Sequence, residues 1–130
     1  MDIEKKLRER LVRETLRVEL TNGNDGRGHK FFRSAKVREQ IETYLRAEGL
    51  VREPFAFPVR LKITRVLGKG QRLWDADSIL RGNSKELVDA LVAVGWFADD
   101  GPKHIVEAIG MQHDGMREQG PCVIVEVWKA

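Results

Sequence analysis

Apolar residues in this chain switch between two periods, and that alternation limits the possible folds more than any other feature. Val59, Leu61 and Ile63 alternate with Arg60 and Lys62, and Leu16, Val18 and Leu20 alternate with Arg17 and Glu19. A period of two is that of a strand with one face buried. Val37, Ile41 and Leu45 recur instead at helical spacing, after Ser34 as a candidate cap and before Gly49 as a stop. Leu87, Leu91 and Val94 do the same between Ser84 and Gly95. Residues 104–111 and 122–128 are two further β-rich runs, joined by a polar, glycine-containing stretch and expected to pair as a hairpin. Ile3, Leu7 and Leu11 predict a leading helix over residues 1–13, an extension before the first strand. The predicted order after it, β-α-β-α-β-β, describes an α+β (or α/β) fold. It is a single mixed sheet of about four strands flanked by helices, forming one domain over residues 1–130.

Composition narrows the class. The 130 residues are 42% hydrophobic and 33% charged, as in a globular domain, with a formal charge of only +3. The distribution of charge therefore matters more than its total. One cysteine, Cys122, allows no internal disulfide and no zinc cluster, and beside Val123-Ile124-Val125 it reads as a buried small apolar residue. No apolar run approaches the length of a membrane span, and the first residues lack the apolar core of a secretory signal. The expectation is a cytoplasmic protein with no membrane partner. Gly68-Lys69-Gly70 lacks the full spacing of a phosphate-binding loop, so no nucleotide cofactor is expected.

Chemistry concentrates in Leu73-Trp74-Asp75-Ala76-Asp77 and in Asp99-Asp100. Residues two apart in extended chain project to one side, so Asp75 and Asp77 can face one space. A helix and a turn can then return Asp99 or Asp100 beside them. Three carboxylates suit Mg²⁺, a hard cation that takes oxygen ligands and keeps room for water and phosphate. A bound metal neutralises the charge that develops in phosphodiester hydrolysis, and Lys85 is the best-placed side chain to assist it. The bland alternative is that Asp77 caps a helix and Asp99-Asp100 forms a turn.

A second constellation is basic. Residues 27–38 hold Arg27, His29, Lys30, Arg33, Lys36 and Arg38, interleaved with Phe31 and Phe32 and free of acids. Cations neutralise phosphates and aromatic faces stack on bases, so the segment fits DNA binding. A solvated helix face with its phenylalanines in the core fits equally well. Lys69, Arg72 and Trp74 make a smaller basic-aromatic set just before the acidic pair. Lys5, Lys6, Arg8, Arg10 and Arg13 alternate with glutamates as i,i+4 pairs on a helix face would. His29, His104 and His113 have no ligand spacing and read as structural or phosphate-facing.

The stretch Asp75-Ala76-Asp77-Ser78, then Lys85, then Asp89-Ala90-Leu91, then Gly95-Trp96-Phe97-Ala98-Asp99-Asp100 resembles the RusA-type Holliday junction resolvases. Asn22 or Asn24, with Gly28-His29, Arg33 and Lys36, is similar to that family's asparagine-rich loop and basic segment. The resemblance covers the chain from about Leu16 onward and is specific around residues 75–100. It implies a RusA-like fold and a homodimer that binds four-way DNA junctions. It implies paired strand cutting with Mg²⁺, with Mn²⁺ able to substitute, in DNA recombination and repair. By position Asp75, Asp77 and Asp100 match the family's metal-binding carboxylates and Lys85 its catalytic lysine. Resolvases of this type are often carried by phages and prophages. Three departures stand out: Ser78 replaces an asparagine, residues 81–84 look like an insertion of about one helical turn, and residues 1–13 have no counterpart. Counted forward from Asp77, Arg81 takes the lysine's place; counted back from Asp89, Lys85 does.

Two other functions fit the same residues. A non-catalytic DNA-binding module would use the basic segment and keep the carboxylates as structural caps. A different Mg²⁺-dependent phosphodiesterase would use the same acids on another branched or single-stranded nucleic acid.

Overall fold

Residues 9–20, 30–74 and 84–130 are described by the computed structural model of the protein, and the side chains of residues 30–34 lie outside that description. Four strands, β1 (Arg10–Leu16), β2 (Val59–Val66), β3 (Ile105–His113) and β4 (Cys122–Lys129), form one mixed sheet in the order β1-β4-β2-β3. Among the described residues two helices, α1 (Lys30–Ala47) and α2 (Lys85–Ala93), pack on one face of it. The fold class is α+β, as the alternating periods predict. Among the described residues no helix is long and apolar enough to cross a membrane.

The core follows from parity along the strands. Val59, Leu61 and Ile63 of β2 and Val123, Val125 and Val127 of β4 meet Ile41 and Leu45 of α1 and Leu87, Ala90 and Leu91 of α2. The opposite parity, Arg60, Lys62 and Thr64 on β2, faces away from the helices, paired with Trp128, Glu126 and Ile124 of β4. A small second cluster of Val66, Cys122 and Ile124 lies on that other face beneath Met116. Cys122 is buried there as predicted, and burial pushes its thiol pKa above the ordinary 9.0, with Arg17 partly opposing.

Both helices end at the expected glycines, each in a Schellman turn. Leu50 N–H donates to the Leu45 carbonyl and Gly49 N–H to that of Arg46; Trp96 N–H donates to Leu91 and Gly95 N–H to Val92. Gly49 and Gly95 take φ of 70° and 96°, where a side chain is strained. At Gly95 a Cβ would also fall on the Arg52 carbonyl oxygen. That turn delivers Trp96 and Phe97 into the core and Asp99-Asp100 to the surface.

Four expectations are corrected. The first strand spans Arg10–Leu16, not residues 16–20, so Leu11 and Arg13 lie on a strand and not on a leading helix. Glu14 interrupts the apolar positions Val12 and Leu16, so the sequence shows no clean alternation there, and pairing with β4 (Glu14 with Val125, Leu16 with Val123) sets the strand. Arg10 accordingly bonds Glu126 across the sheet at 2.8 Å and not an acid four residues away. α1 begins at Lys30, which places Ser34 inside it. β3 and β4 form no hairpin: β2 lies between them, parallel to β3 and antiparallel to β4. Finally, Ser84 does occupy the N-cap position of α2, but its side chain makes no capping hydrogen bond. Residues 1–8 of the expected extension lie outside the described residues.

Candidate functional site

A parallel β2-α2-β3 crossover fixes where each candidate emerges. β2 and β3 run in the same direction, so α2 must return the chain from the finishing end of β2 to the starting end of β3. Lys85, exposed, is the first residue of α2. Asp99 and Asp100, both exposed, follow its far end, just before the turn in which His104 and Ile105 N–H donate to the Gly101 carbonyl. The nine residues of α2, at 1.5 Å rise per residue, set Lys85 and Asp100 roughly 12 Å or more apart along the helix axis. Asp99 Oδ1 accepts the Asp100 N–H at 2.8 Å, so one carboxylate of the pair shapes the turn, and the Asp100 carboxylate has no partner among the described residues.

The opposite end of the sheet carries the approach to the acidic pair. Trp74, one residue before Asp75, is held by Gln112 of β3. The Gln112 Oε1 accepts the Trp74 N–H at 2.8 Å, and its Nε2 donates to the Trp74 carbonyl at 3.0 Å. Arg65 completes the fixture. Its Nη1 donates to Gln112 Oε1 at 2.8 Å and to the Arg72 carbonyl at 3.0 Å, and its guanidinium lies 3.7 Å from the centre of the Trp74 ring. Cation–π contact of this kind strengthens when desolvated.

Arg65 is only 5% exposed and has no ion pair among the described residues. Burial lowers its pKa, Glu19 counteracts and the nearby Arg117 adds to the lowering. A buried cation without a direct carboxylate is expensive unless its donors are satisfied. Here a carbonyl, an amide oxygen and a π face satisfy them. Arg117 in turn braces the 67–71 turn, donating to the Gly68 and Gln71 carbonyls at 2.8 and 2.7 Å. Lys69 and Arg72 stand exposed on the same segment. The result is a cationic, aromatic frame immediately before Asp75.

Asp75 and Asp77 themselves lie outside the described residues, as do Arg27, His29 and the alternative cation Arg81; Lys30 and Arg33 are placed on α1 by their backbone alone. Lys36 is exposed on α1. Gln112, which holds Trp74, is seven residues along β3 from Ile105, about 23 Å at the rise of a parallel strand. The described residues therefore put the approach to Asp75 and the position of Asp100 at opposite ends of β3, and they do not gather Lys85 with Asp100. No group of three His, Cys, Asp or Glu side chains able to hold a metal forms among the described residues. Carboxylate oxygen is the donor type that Mg²⁺ takes, so Asp75, Asp77 and Asp100 fit that cation by chemistry and not by placement.

His113 has a structural role, and at His104 only the backbone takes part in the fold. The His104 carbonyl accepts Val59 N–H, and His113 Nδ1 accepts Gly115 N–H at 3.0 Å. Sequence reading passed over Arg65, Gln112 and Arg117. Arg65 alone carried a visible signal: it continues the buried parity of Val59, Leu61 and Ile63, where a charge requires partners. No protein-family model matches the sequence, and no curated protein matches it.

Proposed function

We propose that this chain is a Mg²⁺-dependent endonuclease acting on branched DNA, a resolvase of four-way junctions that works as a homodimer. The observation that carries the reading is the frame of Arg65, Gln112 and Trp74 at the start of Asp75-Ala76-Asp77. A metal-binding carboxylate pair needs a fixed starting point, because small displacements of a reacting group cost large factors in rate. Exposed Lys69 and Arg72 stand beside the pair in sequence, where a phosphate backbone would approach the acids.

In this reading Asp75 and Asp77 hold the metal together with water and phosphate oxygens, Lys85 assists the developing charge, and Asp100, at the far end of β3, stays outside the metal's reach. When bound, Mg²⁺ would activate water and neutralise the phosphodiester. Lys69, Arg72 and Lys36, with Arg27, His29, Lys30 and Arg33, bind the DNA backbone. Two symmetric cuts need two equivalent sites, which a twofold dimer supplies.

A second reading, a DNA-binding module without catalysis, is favoured by one observation: Lys85 opens α2 whereas Asp100 follows its far end. The deciding experiment is incubation of a synthetic four-way junction, beside a linear duplex of the same sequence, with Mg²⁺ or with chelator. Paired symmetric nicks in the junction alone, abolished by chelator and by Asp77→Asn, are expected. Tight junction binding without cutting would select the binding module. Cutting without junction preference would keep the acids and move the substrate to another nucleic acid.

A further inference from the structure

The two edges of the sheet differ in kind. β1 has three charged residues in seven, Arg10, Arg13 and Glu14, and an irregular register between Arg10 and Val12. Charges and bulges are the devices that keep an edge strand from pairing with another chain. β3, at the other edge, is longer at nine residues (IVEAIGMQH), with no Lys, Arg or Pro and a single charge, Glu107. Its irregularity is confined to its first residues, leaving Glu107 onward in regular register with β2. Among the described residues nothing pairs with its outer edge. Val106, Ile109 and Met111 are 47%, 37% and 46% exposed, three of the six exposed large apolar residues among those described.

We propose that β3 is a dimer interface, pairing antiparallel with β3 of a second copy of this chain about a twofold axis at Ile109. The register makes the strand complementary to itself. Ile109 faces Ile109, Ala108 faces Gly110, and Glu107 faces Met111, so no like charges meet. Glu107 already has a cation, Arg60 of β2, at 4.0 Å. Gly110 next to the axis leaves room for backbones to approach. Twofold pairing closes: it consumes both β3 edges, and the charged β1 edges that remain do not extend it, so association stops at two. Sheet extension of this kind draws its affinity from main-chain hydrogen bonds and its specificity from the facing side chains. The inference rests on the homodimer of the proposed function and adds its interface; its test is separate from cleavage, since mass and cross-linking read the β3 pairing whether or not DNA is cut.

The test is sedimentation equilibrium of the full chain, with variants at exposed positions. The wild type is expected as a dimer. Ile109→Lys and Met111→Lys are each expected to raise the dimer dissociation constant at least tenfold, with an unchanged far-ultraviolet spectrum. Ile109→Cys should cross-link itself under mild oxidation, because facing residues of an antiparallel pair are roughly 4.5–5.5 Å apart between Cα atoms, within disulfide reach. Glu107→Cys should not, lying two residues from the axis, while Glu107→Cys combined with Met111→Cys should. A monomeric wild type, a dimer indifferent to Ile109→Lys, or cross-linking of Glu107→Cys as efficient as that of Ile109→Cys would overturn the proposal.

Discussion

The side-chain amide of Gln112 pairs with the backbone of Trp74 as a neighbouring strand would, accepting its N–H at 2.8 Å and donating to its carbonyl at 3.0 Å. One side chain thus holds a residue 38 positions earlier in both directions, and it also accepts from the buried Arg65. Gln112→Ala removes all three bonds and leaves an Arg65 donor short of a partner. The expected loss is about 2 kcal/mol of stability, the usual cost of stranding a buried polar group. Urea unfolding followed by tryptophan fluorescence measures it. On the proposed function, cleavage should fall further than stability does and recover in part at high Mg²⁺. A variant equal to wild type in both would mean that Trp74 is held by other contacts.

Gly95 offers a cleaner test of the fold. Its φ of 96° and the position of the Arg52 carbonyl both forbid a side chain, whereas Gly70, at φ 81°, has open space around its would-be Cβ. Gly70→Ala should therefore cost only backbone strain, about 1 kcal/mol. Gly95→Ala should cost more, roughly 3 kcal/mol, by adding displacement of the 50–55 segment to that strain. Equal effects in thermal unfolding would show that the Arg52 segment gives way freely.

These two sites mark what was legible in the sequence. Gly95 and Gly49 were readable because a helix stop is local: the glycine, the preceding apolar period and the following hydrophobic residue sit within one turn. β2 and β4 were readable for the same reason. The position of β1 was not, since the charged Glu14 breaks the apolar alternation of Arg10–Leu16 and only the partner strand places it. The expected hairpin failed because adjacency in sequence suggested adjacency in the sheet, while the parallel crossover through α2 inserts β2 between β3 and β4. In the candidate site, Arg65 was visible as a charge on a buried parity. Gln112 was not, because its partner is a backbone group far away in sequence and nothing in an amide side chain announces that.

Cys122 is 3% exposed on the face away from the helices, and its burial raises its thiol pKa. The folded state therefore disfavours the thiolate, the reactive species. Native protein at pH 8 should resist a thiol reagent such as dithionitrobenzoate and release one equivalent of chromophore on denaturation. Because the folded pKa exceeds the unfolded one, the contribution of this group to stability is complete below about pH 9 and is lost as pH rises beyond it. Rapid labelling of native protein would mean that the Met116 cover opens readily.

The exposed cations Lys69 and Arg72 differ from Arg65 in what their loss should do. Lys69→Ala and Arg72→Ala remove surface charges; the bond the frame takes from Arg72 comes from its backbone carbonyl and survives the substitution. On the proposed function each should weaken junction binding and flatten the dependence of log affinity on log salt by about one unit, with little change in stability. Lys36→Ala, on the exposed side of α1, tests whether the helix joins the same interface. A flattened slope from all three would describe a DNA track running from α1 to the 67–72 segment. A flattened slope from Lys69 and Arg72 alone would confine the track to the end of the sheet that holds Trp74. Unchanged slopes throughout would remove these cations from the DNA interface, while leaving the Arg65–Gln112–Trp74 frame as a structural feature.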